Sequence, residues 1–193
     1  MQRKSIITKF RRTSGRTKSS RKLNDLLIPI KMILTDNDGV LTDGGLIFGK
    51  SGIELAKFDV KDGLGLKLAR DAGLKTGIIS GLKSPALEKR AAILQTDELH
   101  MSCMEKLQVY EKIKKKHNLE DREITFIGDD IIDLPIMLRC GLPVAVSDAH
   151  EEVRKIAHYV TTAPGGNGAI REIVDMILKA QGHWQKVMAK YYS

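Results

Sequence analysis

Aromatic residues make up only 5% of this 193-residue chain, and cysteine occurs just twice. So few aromatics argue against a base-stacking nucleic-acid surface or an aromatic-rich binding sandwich. Cys103 and Cys140 form neither a CxxC pair nor a disulfide framework. That spacing argues against metal–thiolate chemistry and points to a reducing, cytoplasmic setting. Long apolar runs are missing too. The best stretch, Leu26 to Leu34, is broken by Pro29 and Lys31 and falls short of the roughly 18 residues of a membrane span. No membrane partner is expected.

Acidic residues are absent from positions 1–22, and this makes the net charge of +8 a local feature. Residues 1–31 carry ten Lys and Arg against Asp25 alone, leaving 22 basic and 23 acidic groups for the rest. The body is nearly neutral, so its charge gives no reason to expect a nucleic-acid partner. Positions 1–22 show no sustained apolar periodicity and are read as a mobile basic extension, with residues 23–193 as the folded domain. The same composition suits an organellar transit peptide, and a start of the ordered chain near Met32 is a third reading.

From residue 31 onward the pattern is short apolar strands alternating with amphipathic helices. Strands are expected at Lys31–Thr35, Thr76–Ser80, Leu99–Met101, Ile124–Ile127, Leu142–Val146 and Tyr159–Thr161. Helices are expected at Asp62–Ala72, after the Ser84-Pro85 cap, at Met104–His117, Leu134–Cys140 and Glu151–Ala157, and at Ala169–Ala180. A hairpin, Gly44 to Val60, interrupts the series directly after the first strand. Such alternation specifies an α/β fold, a doubly wound parallel sheet with an inserted β-hairpin. Sites in these sheets lie beyond the carboxyl ends of the strands.

That rule selects the polar residues that follow strands: Asp36, Asp38, Ser80, Asp129, Asp130 and Asp133. Asp36 and Asp38 stand two apart on extended chain, so their side chains lean the same way. Like charges this close stay ionised only beside a compensating cation. Five carboxylates from two strand ends make a hard-oxygen site suited to Mg2+. One such acid is ordinarily a helix cap; two clusters at neighbouring strand ends are not explained that way.

The run ILTDNDGVLTDGG resembles the first motif of the haloacid dehalogenase superfamily phosphatases. GIISG resembles the second motif, Lys106 stands at the third, and FIGDDIIDLPIM matches the fourth. With the hairpin, KFDVKDGLGLKL, GLPVAVSDAH and GGNGAIREI, residues 26 to 180 resemble the small capless 3-deoxy-D-manno-octulosonate 8-phosphate phosphatases. The resemblance implies a Mg2+-dependent phosphomonoester hydrolase of lipopolysaccharide biosynthesis. Asp36 would be the nucleophile and Asp38 the general acid and base. Ser80 and Lys106 would bind phosphoryl oxygens. The metal would be held by Asp36, the backbone carbonyl of Asp38, and Asp129. Asp133, and less directly Asp130, would orient these groups. Lys57, Lys61, Gly81 and Arg171 are the candidates for contact with a phosphorylated sugar acid. The resemblance also implies a homotetramer in which the hairpin meets a neighbouring subunit.

Two positions depart from that pattern. Leu82 stands where an arginine usually follows the second motif, and Asn167 replaces the arginine of a Gly-Gly-Arg-Gly run. Both remove a cation from the substrate end of the site, leaving a nonulosonate 9-phosphate or another sugar phosphate as alternative substrates. A response-regulator receiver would lack the second acid, Asp38, and a non-catalytic phosphatase-like scaffold would have lost one of the motif acids.

Overall fold

The computed structural model describes residues 16–50 and 52–192. Its spine is a six-stranded sheet of β1 (Met32–Thr35), β4 (Lys75–Ile79), β5 (Glu98–His100), β6 (Ile124–Gly128), β7 (Leu142–Ala145) and β8 (Tyr159–Val160). The order is β5-β4-β1-β6-β7-β8 and every pairing in it is parallel. β1 lies at the centre and is buried along its whole length, which is why Met-Ile-Leu shows no alternation.

The chain moves outward from β1 through α2 (Val60–Asp71), β4 and α3 (Pro85–Leu94) to β5. It then returns through α4 (Lys106–Lys116) to β6, on the other side of β1, and continues through α5 (Leu134–Met137) and α6 (Glu151–Ile156). Right-handed crossovers in opposite directions put these two helix sets on opposite faces. The order therefore reverses between β1 and β6, and the crevice at a reversal is where such sheets bind ligands.

Helix α7 (Ala169–Ala180) buries Ile170, Ile173, Val174, Ile177 and Leu178, a single stripe at helical spacing. It packs along α2, where Gly65 permits the approach: a Cβ there would lie 3.1 Å from Arg171 Cα. Ser84 caps α3 by accepting from the Leu87 amide, with Pro85 at the first helical position. β2 (Ile47–Gly49) and β3 (Gly52–Leu55) form the separate antiparallel hairpin. Ile47, Phe48 and Leu55 on it are exposed.

Several expectations need correction. Helix α1 spans Arg16–Leu27, so positions 16–22, read as part of the basic extension, are helical; positions 1–15 lie outside the described residues. Gln181 closes the end of α1: its side-chain Nε2 donates to the carbonyls of Leu27 and Ile28 at 3.1 Å and of Ile30 at 2.7 Å. Apart from a 3.4 Å contact from the Ile30 amide to the Leu27 carbonyl, these groups past the last helical turn are satisfied by Gln181. Val60 begins α2 and is not part of the hairpin. The turn Ile131–Asp133 precedes a short α5, and α8 (Trp184–Met188) had no sequence signal.

The segment before α7 presses on the loop after β1. A Cβ on Gly165 would lie 1.8 Å from the Gly39 carbonyl oxygen. Asp148 accepts from the Gly165 amide at 3.0 Å, and buried Asp62 accepts from the amides of Gly168 and Arg171. Gly165→Ala is expected to lower unfolding free energy by about 3 kcal/mol, because backbone lies on both sides of the clash. Urea denaturation checks this; an unchanged midpoint would contradict the close approach.

Candidate active site

Asp36 follows β1, Ser80 follows β4 and Asp129 follows β6. The pairing of β1 with both β4 and β6 brings their carboxyl ends together. Lys106, the first residue of α4, completes the group from above the sheet edge. Its Nζ lies 2.8 Å from Asp36 Oδ2 and 2.7 Å from Asp133 Oδ1, with the side chain wholly buried. A cation at a helix N-terminus opposes the helix dipole, and burial alone would lower its pKa. The Asp133 and Asp36 charges outweigh both effects and raise it, so the ammonium stays charged.

One ammonium does not satisfy the acids around it. Carboxylate oxygens of Asp36, Asp129 and Asp133 lie within 4.8 Å of one another. Burial, then the Asp133 charge, pushes Asp36 up to about 7 in spite of its Lys106 contact. Burial, then the charges of Asp36 and Asp133, pushes Asp129 up to about 8. Asp133 is raised by burial, although Lys106 and the amides of Asp129 and Asp130 bind its ionised form.

Three carboxylates against one ammonium leave two negative charges, which is the charge of one divalent cation. Asp129 Oδ1 is buried without a hydrogen-bond partner, as a carboxylate oxygen kept for a metal would be. Gly39, at φ +82°, leaves the room: a Cβ there would stand 2.1 Å from Asp129 Oδ2. Asp36 and Asp129 therefore fit a hard divalent cation. Asp133 has both oxygens committed to protein donors, Lys106 on one and two backbone amides on the other.

Asp38 is half-buried beside this group. Asn37 Nδ2 donates to its Oδ1 at 2.9 Å, and its Oδ2 lies 3.5 Å from Ser80 Oγ. Burial raises its pKa against these hydrogen bonds. Ser80 is fully buried, and its hydroxyl also exchanges hydrogen bonds with the Leu82 backbone at 3.2 Å. Exposed Leu82 joins Leu46 and Leu55 of the hairpin segment in an apolar lip next to Asp38.

The structure thus brings together Asp36, Asp38, Ser80, Lys106, Asp129 and Asp133. It does not bring Asp130 with them: that side chain is exposed and caps the Ile131 amide at 2.7 Å. Lys57 is exposed and bridges to Asp43 at 3.1 Å. Lys61 is exposed on the first turn of α2, and Arg171 Nε is committed to Asp175 at 2.7 Å. None of the three cations hydrogen-bonds or ion-pairs with the cluster. Gly81 lies beside Met104, 3.3 Å from a built Cβ to its sulfur.

Three contributors escaped the sequence. Asn37 and Asp62 each sit beside stronger motif residues, and only their neighbours signalled function. Glu98 was the third. Its buried carboxylate takes His100 at 2.8 Å, His117 at 2.7 Å and Lys116 at 2.6 Å. Burial opposes its ionisation, but these donors hold it down to about 2. They tie the edge strand β5 to the far end of α4, the helix whose first residue is Lys106.

A family model described as haloacid dehalogenase-like hydrolase matches residues 98–173. The 3-deoxy-D-manno-octulosonate 8-phosphate phosphatase of Yersinia pestis is 40% identical over 152 residues, covering 79% of this chain and 81% of that one. The enzyme of that name from Escherichia coli K12 is 39% identical over 153 residues, with the same shares. Among solved structures, the Moraxella catarrhalis 3-deoxy-D-manno-octulosonate 8-phosphate phosphatase, in complex with magnesium, phosphate and KDO, superposes with a TM-score of 0.86. It is 33% identical, with 89% of this chain and 98% of that chain covered. The Yersinia pestis structure gives a TM-score of 0.82 at 37% identity, covering 84% and 88%. The chain belongs to the haloacid dehalogenase-like phosphatases, in the 3-deoxy-D-manno-octulosonate 8-phosphate phosphatase family.

The raised acids make a testable link between metal and pH. Asp36 and Asp129 hold protons well above the ordinary 3.8. The folded, metal-free state therefore binds more protons than the unfolded chain, and these groups remove stability as pH rises from about 4 to about 8. A divalent cation competes with those protons and cancels the penalty. Millimolar Mg2+ should raise Tm by about 5–10 °C at pH 8 and by clearly less at pH 5.5. An equal Mg2+ effect at both pH values, measured by differential scanning fluorimetry against a chelated control, would contradict this reading of the cluster.

Proposed function

We propose that this phosphatase hydrolyses 3-deoxy-D-manno-octulosonate 8-phosphate, with Asp36 as nucleophile and Asp38 as acid and base. The observation that carries the proposal is the convergence of Asp36, Asp38, Ser80 and Lys106 beside the Asp36–Asp129 cation site. Asp36 and Asp129, with the backbone carbonyl of Asp38, are the groups that would hold Mg2+. Bound there, Mg2+ supplies the positive charge that lets a carboxylate approach an anionic phosphate ester.

The chain's own residues do the rest. An oxygen of Asp36 attacks phosphorus and the bond to the sugar oxygen breaks, leaving an aspartyl-phosphate. Asp38 gives its proton to the departing sugar oxygen, then takes one from the water that cleaves the aspartyl-phosphate. Lys106 and the Ser80 hydroxyl bind phosphoryl oxygens and stabilise the transferring charge. Asp133 holds Lys106 in place from a fully buried position.

The apolar lip of Leu82, together with Asn167, leaves a nonulosonate 9-phosphate or another sugar phosphate as the second reading. Asn167 is exposed and its side chain bonds the Gly165 carbonyl at 2.8 Å. No cation stands at either position. The exposed Ile47, Phe48 and Leu55 of the hairpin also support assembly into a tetramer through that face. Sedimentation at micromolar concentration is expected to show a species of four chains; a fully active monomer would oppose it. Among the described residues no helix is long and apolar enough to cross a membrane.

Asp36→Asn is expected to abolish phosphate release while keeping the fold, with kcat reduced at least about 1,000-fold. Phosphate release should be assayed over a panel of sugar acid phosphates with and without Mg2+. Activity within tenfold of wild type in the folded variant would remove Asp36 from its role. Turnover of neutral sugar phosphates alone would exclude the sugar acid substrate.

A further inference from the structure

Asn37 lies between the two acids of the first loop and is only 1% exposed. Its backbone has a role that any residue could fill: the carbonyl accepts from the amides of Leu41 at 2.9 Å and Thr42 at 3.0 Å, closing the turn. The side chain is different. Nδ2 donates to Asp38 Oδ1 at 2.9 Å, while Oδ1 is buried with no donor at all. A buried amide with one end unsatisfied is a net loss to folding, which a leucine of nearly the same shape would not carry. The bond to Asp38 is what the amide gains in return.

That bond also chooses between the two oxygens of Asp38. The amide nitrogen can only donate, so the oxygen it holds is not the one that bears a proton. The remaining oxygen, Oδ2, has only a long 3.5 Å contact from Ser80 Oγ, whose single proton has the Leu82 carbonyl nearer at 3.2 Å, so Oδ2 is the oxygen left to carry the acid's proton. We infer that Asn37 is a positioning residue for the general acid: it fixes the Asp38 carboxyl so that its proton-bearing oxygen faces the leaving group. The inference rests on the proposed role of Asp38. In the step concerned, an Asp36 oxygen bonds to phosphorus and the phosphorus–oxygen bond to the sugar breaks. The electron pair stays on the sugar oxygen, and the proton of Asp38 Oδ2 moves to it. The Asn37 side chain touches none of the reacting atoms; the residue's backbone amide donates to Asp36 Oδ1 at 2.6 Å, a contact that a side-chain substitution leaves in place. A carboxyl turned away from the leaving group slows only reactions that need that proton.

The test uses the full-length, Mg2+-loaded enzyme and compares kcat/KM, which reports steps through leaving-group departure, for two substrates. The sugar acid phosphate releases an alkoxide that must be protonated, whereas p-nitrophenyl phosphate releases a nitrophenolate that leaves without a proton. Asn37→Leu should lose about 10- to 100-fold with the sugar acid phosphate and no more than about threefold with the aryl ester. Its Tm should be unchanged or higher. Equal losses with both substrates, or no loss with either, would overturn the inference; Asn37→Val serves if the leucine variant does not fold. Asp38→Asn separates the two levels of the argument. If it slows both substrates equally, Asp38 is not the acid and the reading beneath the inference has failed. If it shows the split and the Asn37 variants do not, the inference alone has failed.

Discussion

Three buried carboxylates facing a single buried ammonium set the terms for the rest of this structure. Lys106 cannot neutralise Asp36, Asp129 and Asp133 together, and the raised pKa values of Asp36 and Asp129 express that shortfall. Hydrophobic packing alone would never assemble such a group. It is held in place by a central strand buried on both faces, by a helix that begins at Lys106, and by the Gly39 turn against Asp129. Removing one partner of a buried ion pair strands the other charge and costs about 3–5 kcal/mol, so Lys106 and Asp133 depend on each other for the fold as well as for chemistry. A divalent cation relieves the same imbalance, which ties metal binding to stability.

The supporting structure is arranged around that imbalance. Asp133 uses every oxygen it has on Lys106 and on the amides of Asp129 and Asp130, so it positions the acids without competing for the metal. Asp62, from α2, caps the segment that leads into α7, and this presses Gly165 against the Gly39 carbonyl. Glu98 secures the other end of α4 through Lys116 and His117. Each of these acids is buried, and each takes at least one donor from far away in sequence: Lys106 for Asp133, Gly168 and Arg171 for Asp62, Lys116 and His117 for Glu98.

How much of this could be read from the residues follows from the range of each signal. The strands and the acids after them were legible because a local pattern, apolar run then Asp or Ser, coincides with a topological rule about strand ends. Asp36, Asp38, Ser80, Lys106, Asp129 and Asp133 were found that way or through motif resemblance. Asp130 was misplaced because adjacent aspartates in Gly-Asp-Asp look alike, and only the turn decides which side chain points inward. Arg171 and Lys57 were named for their charge, and their partners, Asp175 and Asp43, became visible only in three dimensions. Helix α1 was hidden because its one apolar turn, Leu23 to Leu27, follows a basic run. Its ending depends on Gln181, more than 150 residues away. Asn37 carried no signal of its own, being a polar residue in a loop between two better candidates.

The chemistry proposed for this cluster requires Asp36 to become covalently phosphorylated. Acid-quenching the enzyme during turnover, reducing the acyl-phosphate with tritiated borohydride and mapping the labelled peptide tests that claim directly. The predicted result is label at position 36, present as homoserine. Label on a different acid, or a protein that carries none while phosphate is being released, would contradict it.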